Sequence, residues 1–123
     1  MQPHIVIKRA GKGDINLVVT HPRGLVGDLE ATRAQYGITF ISAECARRIY
    51  DSMEVSNPTK LQFIVDNFGP AGNFEVPLIA RESEEGRFLV RNDAHVLAAL
   101  VAAGVEDIPV VASHLDAPLI QQL

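Results

Sequence analysis

The sequence predicts a single α+β domain over residues 1–123. Three observations carry that prediction. Short β-branched runs recur at residues 4–8, 15–20, 38–41, 76–81, 87–91 and 108–112, the signature of strands. Between several of them lie segments with helix caps and apolar residues three and four apart. Finally, 123 residues at 47% hydrophobic and 21% charged can bury a core without a disulfide or metal.

Each element has a local reason. Residues 4–8 and 15–20 flank Gly11, Lys12, Gly13 and Asp14, and read as an N-terminal hairpin. His21, Pro22, Arg23 and Gly24 break the pattern. Asp28 caps a short helix ending near Tyr36, with Gly37 in the left-handed position after it. Residues 38–41 form the next strand. Ser42 is the N-cap of a helix over 43–53. Ser56, Asn57 and Pro58 start another, with proline at its first position. Leu61, Ile64, Val65 and Phe68 line one face of that helix, and Gly69 and Pro70 end it. Residues 76–81 and 87–91 are strands joined by a polar turn at 82–86. Asn92 and Asp93 cap a helix over 95–103, which Gly104 closes. Residues 108–112 are the last strand, and Asp116, Ala117 and Pro118 open a short terminal helix.

The formal net charge is -4, from 11 basic and 15 acidic side chains. Residues 1–60 contribute +2 and residues 61–123 contribute -6. This balance disfavours a domain held to nucleic acid mainly by phosphate neutralisation. Cys45 is the only cysteine, which excludes a disulfide scaffold. No apolar run approaches the roughly 20 residues of a membrane span. Met1, Gln2, Pro3 and His4 lack the pattern of a signal peptide, so a cytoplasmic protein is expected.

The clearest pattern lies in residues 59–113. Lys60 to Gly69 reads as a helix, and Glu75-Val76-Pro77-Leu78-Ile79-Ala80-Arg81 is similar to a strand of the type x-x-P-I-x-V-R. Gly86-Arg87-Phe88-Leu89-Val90 follows as a second strand. Asn92-Asp93-Ala94-His95-Val96-Leu97-Ala98-Ala99-Leu100 runs in register with a signature of the type D-G-H-H-R-L-A-A-L, and Ile108-Pro109 opens the next strand. This succession resembles the core of the ParB/sulfiredoxin-like fold, with a degenerate form of the ParB N-terminal-type signature. The resemblance implies a helix, strand, strand, helix, strand core over 59–113. Residues 1–58 extend it with the hairpin, a strand and helices.

In nucleotide-binding members of that family, the turn before the signature helix faces phosphates. A Gly lets the backbone approach and an Arg supplies a bidentate cation. Here Asp93 stands at the Gly position and Val96 at the Arg position. Two charge-assisted contacts at about 1.5–3 kcal/mol each are thereby missing. The remnant of the phosphate site is Arg91, Asn92, Asp93 and His95. His95 is the candidate catalytic residue, and Asp93 is too near in sequence to orient it. Sulfiredoxin activity is not expected, because the reactive cysteine of that group belongs where Asp93, Ala94 and His95 stand. Cys45 reads instead as a small buried residue.

Other charged and apolar residues have simpler readings. Arg81, Arg87 and Arg91 read as exposed strand residues offsetting Glu82, Glu84 and Glu85. Lys8, Arg9 and Lys12 are candidates for a basic patch toward nucleic acid or an acidic partner. His4, His21, His95 and His114 lack the spacing of a helical metal site, so no metal is expected. From Ala94 to Val105 the only polar side chain is His95. Such a helix is either sandwiched within the domain or offers Ala98, Val101 and Ala102 to a partner.

The function expected is a non-catalytic interaction module, a small regulator or inhibitor with no cofactor. It docks on a protein partner or a second copy of itself, and not on a membrane. The family is common on plasmids, phages and other mobile elements, and the resemblance implies that setting. The alternatives are a nucleotide-dependent ATPase or nuclease built around His95 and Arg91, and a DNA-binding regulator using the N-terminal basic residues.

Overall fold

A computed structural model of the chain describes residues 4–8, 13–19, 36–51, 57–68, 74–82, 87–91 and 94–123. In chain order the elements are β1 (His4–Ile7), β2 (Ile15–Val18), β3 (Tyr36–Ser42), α1 (Ala43–Tyr50), α2 (Pro58–Asn67) and β4 (Phe74–Glu75). They continue with β5 (Ile79–Glu82), β6 (Arg87–Val90), α3 (Ala94–Ala102), β7 (Asp107–Ser113) and α4 (Ala117–Gln121). The helix expected after Asp28, the turn over 83–86 and the Asn92–Asp93 cap lie outside the described residues.

The alternation in 15–18 produces the expected hairpin. Ile15 and Leu17 are buried while Asn16 and Val18 are half-buried, and β1 pairs antiparallel with β2 from His4 opposite Val18 to Ile7 opposite Ile15. On its other side β2 takes β4 in parallel, with Leu17 opposite Phe74. β5 and β6 form a second antiparallel pair, Ile79 opposite Val90. The third pair is the longest: β3 runs antiparallel to β7 from Tyr36 opposite Ser113 to Ser42 opposite Asp107.

The strand expected over 76–81 is split, and Pro77 is the reason. It is fully buried and has no N–H to give to a ladder. The residues around it nevertheless stitch the three small sheets together. Val76 N–H donates to the Val18 carbonyl at 2.9 Å, Val111 N–H to the Pro77 carbonyl at 2.8 Å, and Arg91 N–H to the Leu78 carbonyl at 2.7 Å. Because Val111 directs its N–H toward Pro77, Pro109, two residues earlier, also faces away from β3. It stands opposite Phe40, where β3 requires no donor.

Gly37 is a correction. It does not end a helix but lies inside β3, opposite Ala112, and Gly104 is the described glycine with positive φ. Its lack of a side chain answers a close approach instead. A Cβ there would lie 3.1 Å from Cε1 of His114.

The helices begin where their caps predict. Ser42 Oγ accepts the Cys45 N–H at 3.1 Å, and Asn57 Oδ1 accepts the Lys60 N–H at 3.0 Å. α1 is strongly amphipathic, burying Cys45, Ala46 and Ile49 and exposing Glu44, Arg47 and Arg48. Its described turns end at Tyr50 rather than at residue 53. α2 buries Ile64 and half-buries Leu61, Val65 and Phe68, and the Phe68 ring meets Phe74 edge-on with centroids 5.6 Å apart. α3 ends in two bonds of opposite reach: Val105 N–H to the Leu100 carbonyl, and Gly104 N–H to the Val101 carbonyl. Gly104 adopts φ 83° between them, the Schellman arrangement.

The core is one cluster. It joins Ile15 and Leu17 of the hairpin to Ile49, Ile64, Ile79, Leu97, Leu100, Ile108 and Ile120, so the N-terminal extension and the 59–113 segment share an interior. The protein is therefore a single mixed α+β domain. No helix among the described residues is long and apolar enough to cross a membrane.

Candidate functional site

The apolar helix α3 decides where a site can be. Val96, Leu97, Ala98, Ala99 and Leu100 are buried, and the helix packs against α1, α2 and β7. Its lack of a polar face is thus explained mostly within the chain. Of the three residues expected to face a partner, Ala98 is only 5% exposed, a correction to its reading as open surface. Val101 is half-buried and Ala102 exposed.

These three residues still share one feature. Together with Leu61 of α2 and with Arg47, Tyr50 and Asp51 at the end of α1, they line a groove of about 510 Å³ between the three helices. Ala98, Val101 and Leu61 supply apolar wall, and Tyr50 adds a half-buried ring. Arg47 and Asp51 are exposed and set opposite charges on one side. Among the described residues the groove's titratable groups are Arg47, Tyr50 and Asp51, all from the end of α1. Its exposed lining is polar in the larger part, with Arg47, Tyr50 and Asp51 beside the apolar Ala98, Val101 and Leu61, the mixed make-up of a small docking surface.

Sequence reasoning missed Arg47, Tyr50, Asp51 and Leu61. Arg47, Tyr50 and Asp51 do lie at three- and four-residue spacing on one helix face, which is a readable signal. Their position opposite α3 is set by tertiary packing and has no local signature.

The phosphate-site remnant is only partly described. Asn92 and Asp93 lie outside the described residues. Arg91 is exposed just after β6. His95 is half-buried in the first turn of α3, with its Nε2 shielded from solvent. Val96, at the family's Arg position, is 4% exposed and belongs to the core cluster. An arginine there would start from a buried position rather than from a cleft.

The remaining candidates are dispersed. Arg81 is an exposed strand residue with a described partner outside the 82–86 turn. It pairs with Asp116 at 3.0 Å and lies over the Phe88 ring, 5.6 Å from its centroid. Asp116, the N-cap of α4, has helical rather than extended backbone angles and makes no side-chain capping bond. Arg87 is exposed, opposite Glu82 in the β5–β6 ladder. Cys45 is buried, and its thiol donates to the main-chain oxygen of Leu123 at 3.2 Å and of Gln121 at 3.5 Å, tying α1 to the end of α4. Lys8 is exposed after β1, whereas Arg9, Lys12 and His21 lie outside the described residues. Among the described residues no group of three or more His, Cys, Asp or Glu is placed to hold a metal ion.

Compared with known proteins, the chain matches no family model, no curated protein and no solved structure.

Proposed function

We propose that this protein is a non-catalytic interaction module, a small regulator or inhibitor that docks on a protein through the groove between α1, α2 and α3. The observation that carries the reading is the groove itself. It gathers Ala98, Val101 and Ala102 of the apolar helix with Leu61 and Tyr50, and places Arg47 and Asp51 at its edge. A ParB/sulfiredoxin-like core is part of the same proposal. The succession α2, β5, β6, α3, β7 over residues 58–113 supports it. So does the extended backbone around Pro77 joining β2, β6 and β7. Val96 in the core supports a scaffold used without the family's phosphate chemistry.

Two measurements test this reading. Titration calorimetry with ATP and with CTP, and DNA binding at low salt, are expected to give no binding. Nucleotide binding that is lost in His95→Ala overturns the non-catalytic reading in favour of an enzyme. DNA binding that is lost in Lys8→Glu favours the DNA-binding regulator instead. Ala102→Glu adds an exposed charge to the groove. It is expected to abolish protein association while changing the unfolding free energy only within the narrow range of ordinary surface substitutions, roughly ±0.5 kcal/mol.

A further inference from the structure

We infer that the occupant of the groove is a second copy of this chain, related by a two-fold axis that sets Arg47 of each copy against Asp51 of the other. The inference rests on the groove being a docking surface and names what docks there. It starts from an asymmetry between two charge pairs on α1. Glu44 and Arg48, with the acid one turn N-terminal to the base, close on each other at 2.8 Å. That order is the favourable one on a helix. Arg47 and Asp51 have the same spacing in the reverse, poorer order. Among the described residues neither of their side chains takes part in an ion pair. Both are exposed and both line the groove.

Two open charges of opposite sign, about 6 Å apart along one helix, form a surface that complements itself. A two-fold axis crossing α1 between them exchanges their positions. Each copy then presents the acid where the other presents the base, as an isologous interface requires. Any other protein has to bring matching charges at matching spacing, whereas a second copy brings them by symmetry. The acidic excess of the chain does not oppose this. Around the axis Glu44, Arg47, Arg48 and Asp51 sum to zero. A standard interface takes about 800 Å² per partner. That is close to a tenth of the 7376 Å² surface of this chain, so the contact has to spread from the groove over the outer faces of α1 and α2. With exposed charges at its centre, the dimer is weak and weakens further as salt rises.

Sedimentation equilibrium on the full chain, at about 50 mM and 500 mM salt, tests the inference. The wild type is expected to self-associate, more strongly at low salt. Arg47→Asp and Asp51→Arg, each of which sets like charges face to face, are expected to weaken association by about tenfold or more. The double variant R47D/D51R restores the complement and is expected to regain most of the wild-type affinity. An equimolar mixture of the two single variants is expected to form the mixed dimer. Both substituted residues are exposed, and circular dichroism checks that each variant is folded. A monomeric wild type overturns the inference, and so does a double variant as weak as the singles. In either case, binding of another protein that Ala102→Glu abolishes would still leave the groove as a docking surface. Wild-type association that neither single variant changes overturns the two-fold arrangement and removes the groove from the interface.

Discussion

Gly104→Ala isolates one backbone angle. Gly104 has φ 83°, and a Cβ built there meets no atom within 4 Å. The substitution therefore costs nothing in packing, and its effect comes from conformation alone. A left-handed L-residue costs about 1–2 kcal/mol. Reduced freedom of the unfolded chain returns about 0.4–1 kcal/mol. The net expectation is a loss of about 1 kcal/mol. In urea this moves the midpoint by about 0.5 M with an unchanged slope, and in a thermal scan it lowers Tm by roughly 3–6 °C. Gly104→Asn should recover part of the loss, because Asn tolerates the left-handed region. Gly37→Ala is the contrasting case. Its backbone is an extended strand, and the 3.1 Å approach is to a ring of His114 that is itself exposed and able to move. If Gly104→Ala is stabilising, the left-handed closure of α3 is refuted. The placement of Val101 and Ala102 beside the groove then loses its support.

Other substitutions read other parts of the structure. Val96→Arg should destabilise by several kcal/mol, since it removes a buried side chain and desolvates a charge; a folded variant that gains nucleotide binding in calorimetry would refute the burial of Val96. Ser42→Ala and Asn57→Ala should each cost about 1 kcal/mol in urea unfolding, and the double variant should cost their sum because the two caps belong to different helices. Arg81→Ala should cost only about 0.5–1 kcal/mol, because the Asp116 pair is partly exposed and the contact with Phe88 is single; a larger loss would mean that Arg81 anchors α4.

Much of the fold was legible because its signals act over a few residues. Ser42 and Asn57 bond N–H groups three residues on, so a single short window contains both partners of each cap. Gly104 was readable for the same reason. So was the hairpin, where alternation in 15–18 states which side chains turn inward. Gly37 misled because a glycine after a run of helix formers has two local uses. The choice between a helix end and a strand was made by pairing with β7, where Gly37 stands opposite Ala112, 75 residues away. Pro77 shows the same limit. Its missing N–H is visible in sequence, but its buried place beside Val111 depends on which strand lies next to it.

The groove stands further still from local reading. Composition alone marked α3 as a helix without a polar face. Only packing decided that Ala98 is buried, that Ala102 is exposed and that Arg47 and Asp51 line the same depression. Helix starts and stops depend on hydrogen bonds within one turn, so neighbouring residues suffice to specify them. A surface shared by three helices depends on tertiary contacts that bring residues some fifty apart, such as Arg47 and Ala98, to one groove. Those exist only once β3 has paired with β7 and α3 has been drawn against both other helices.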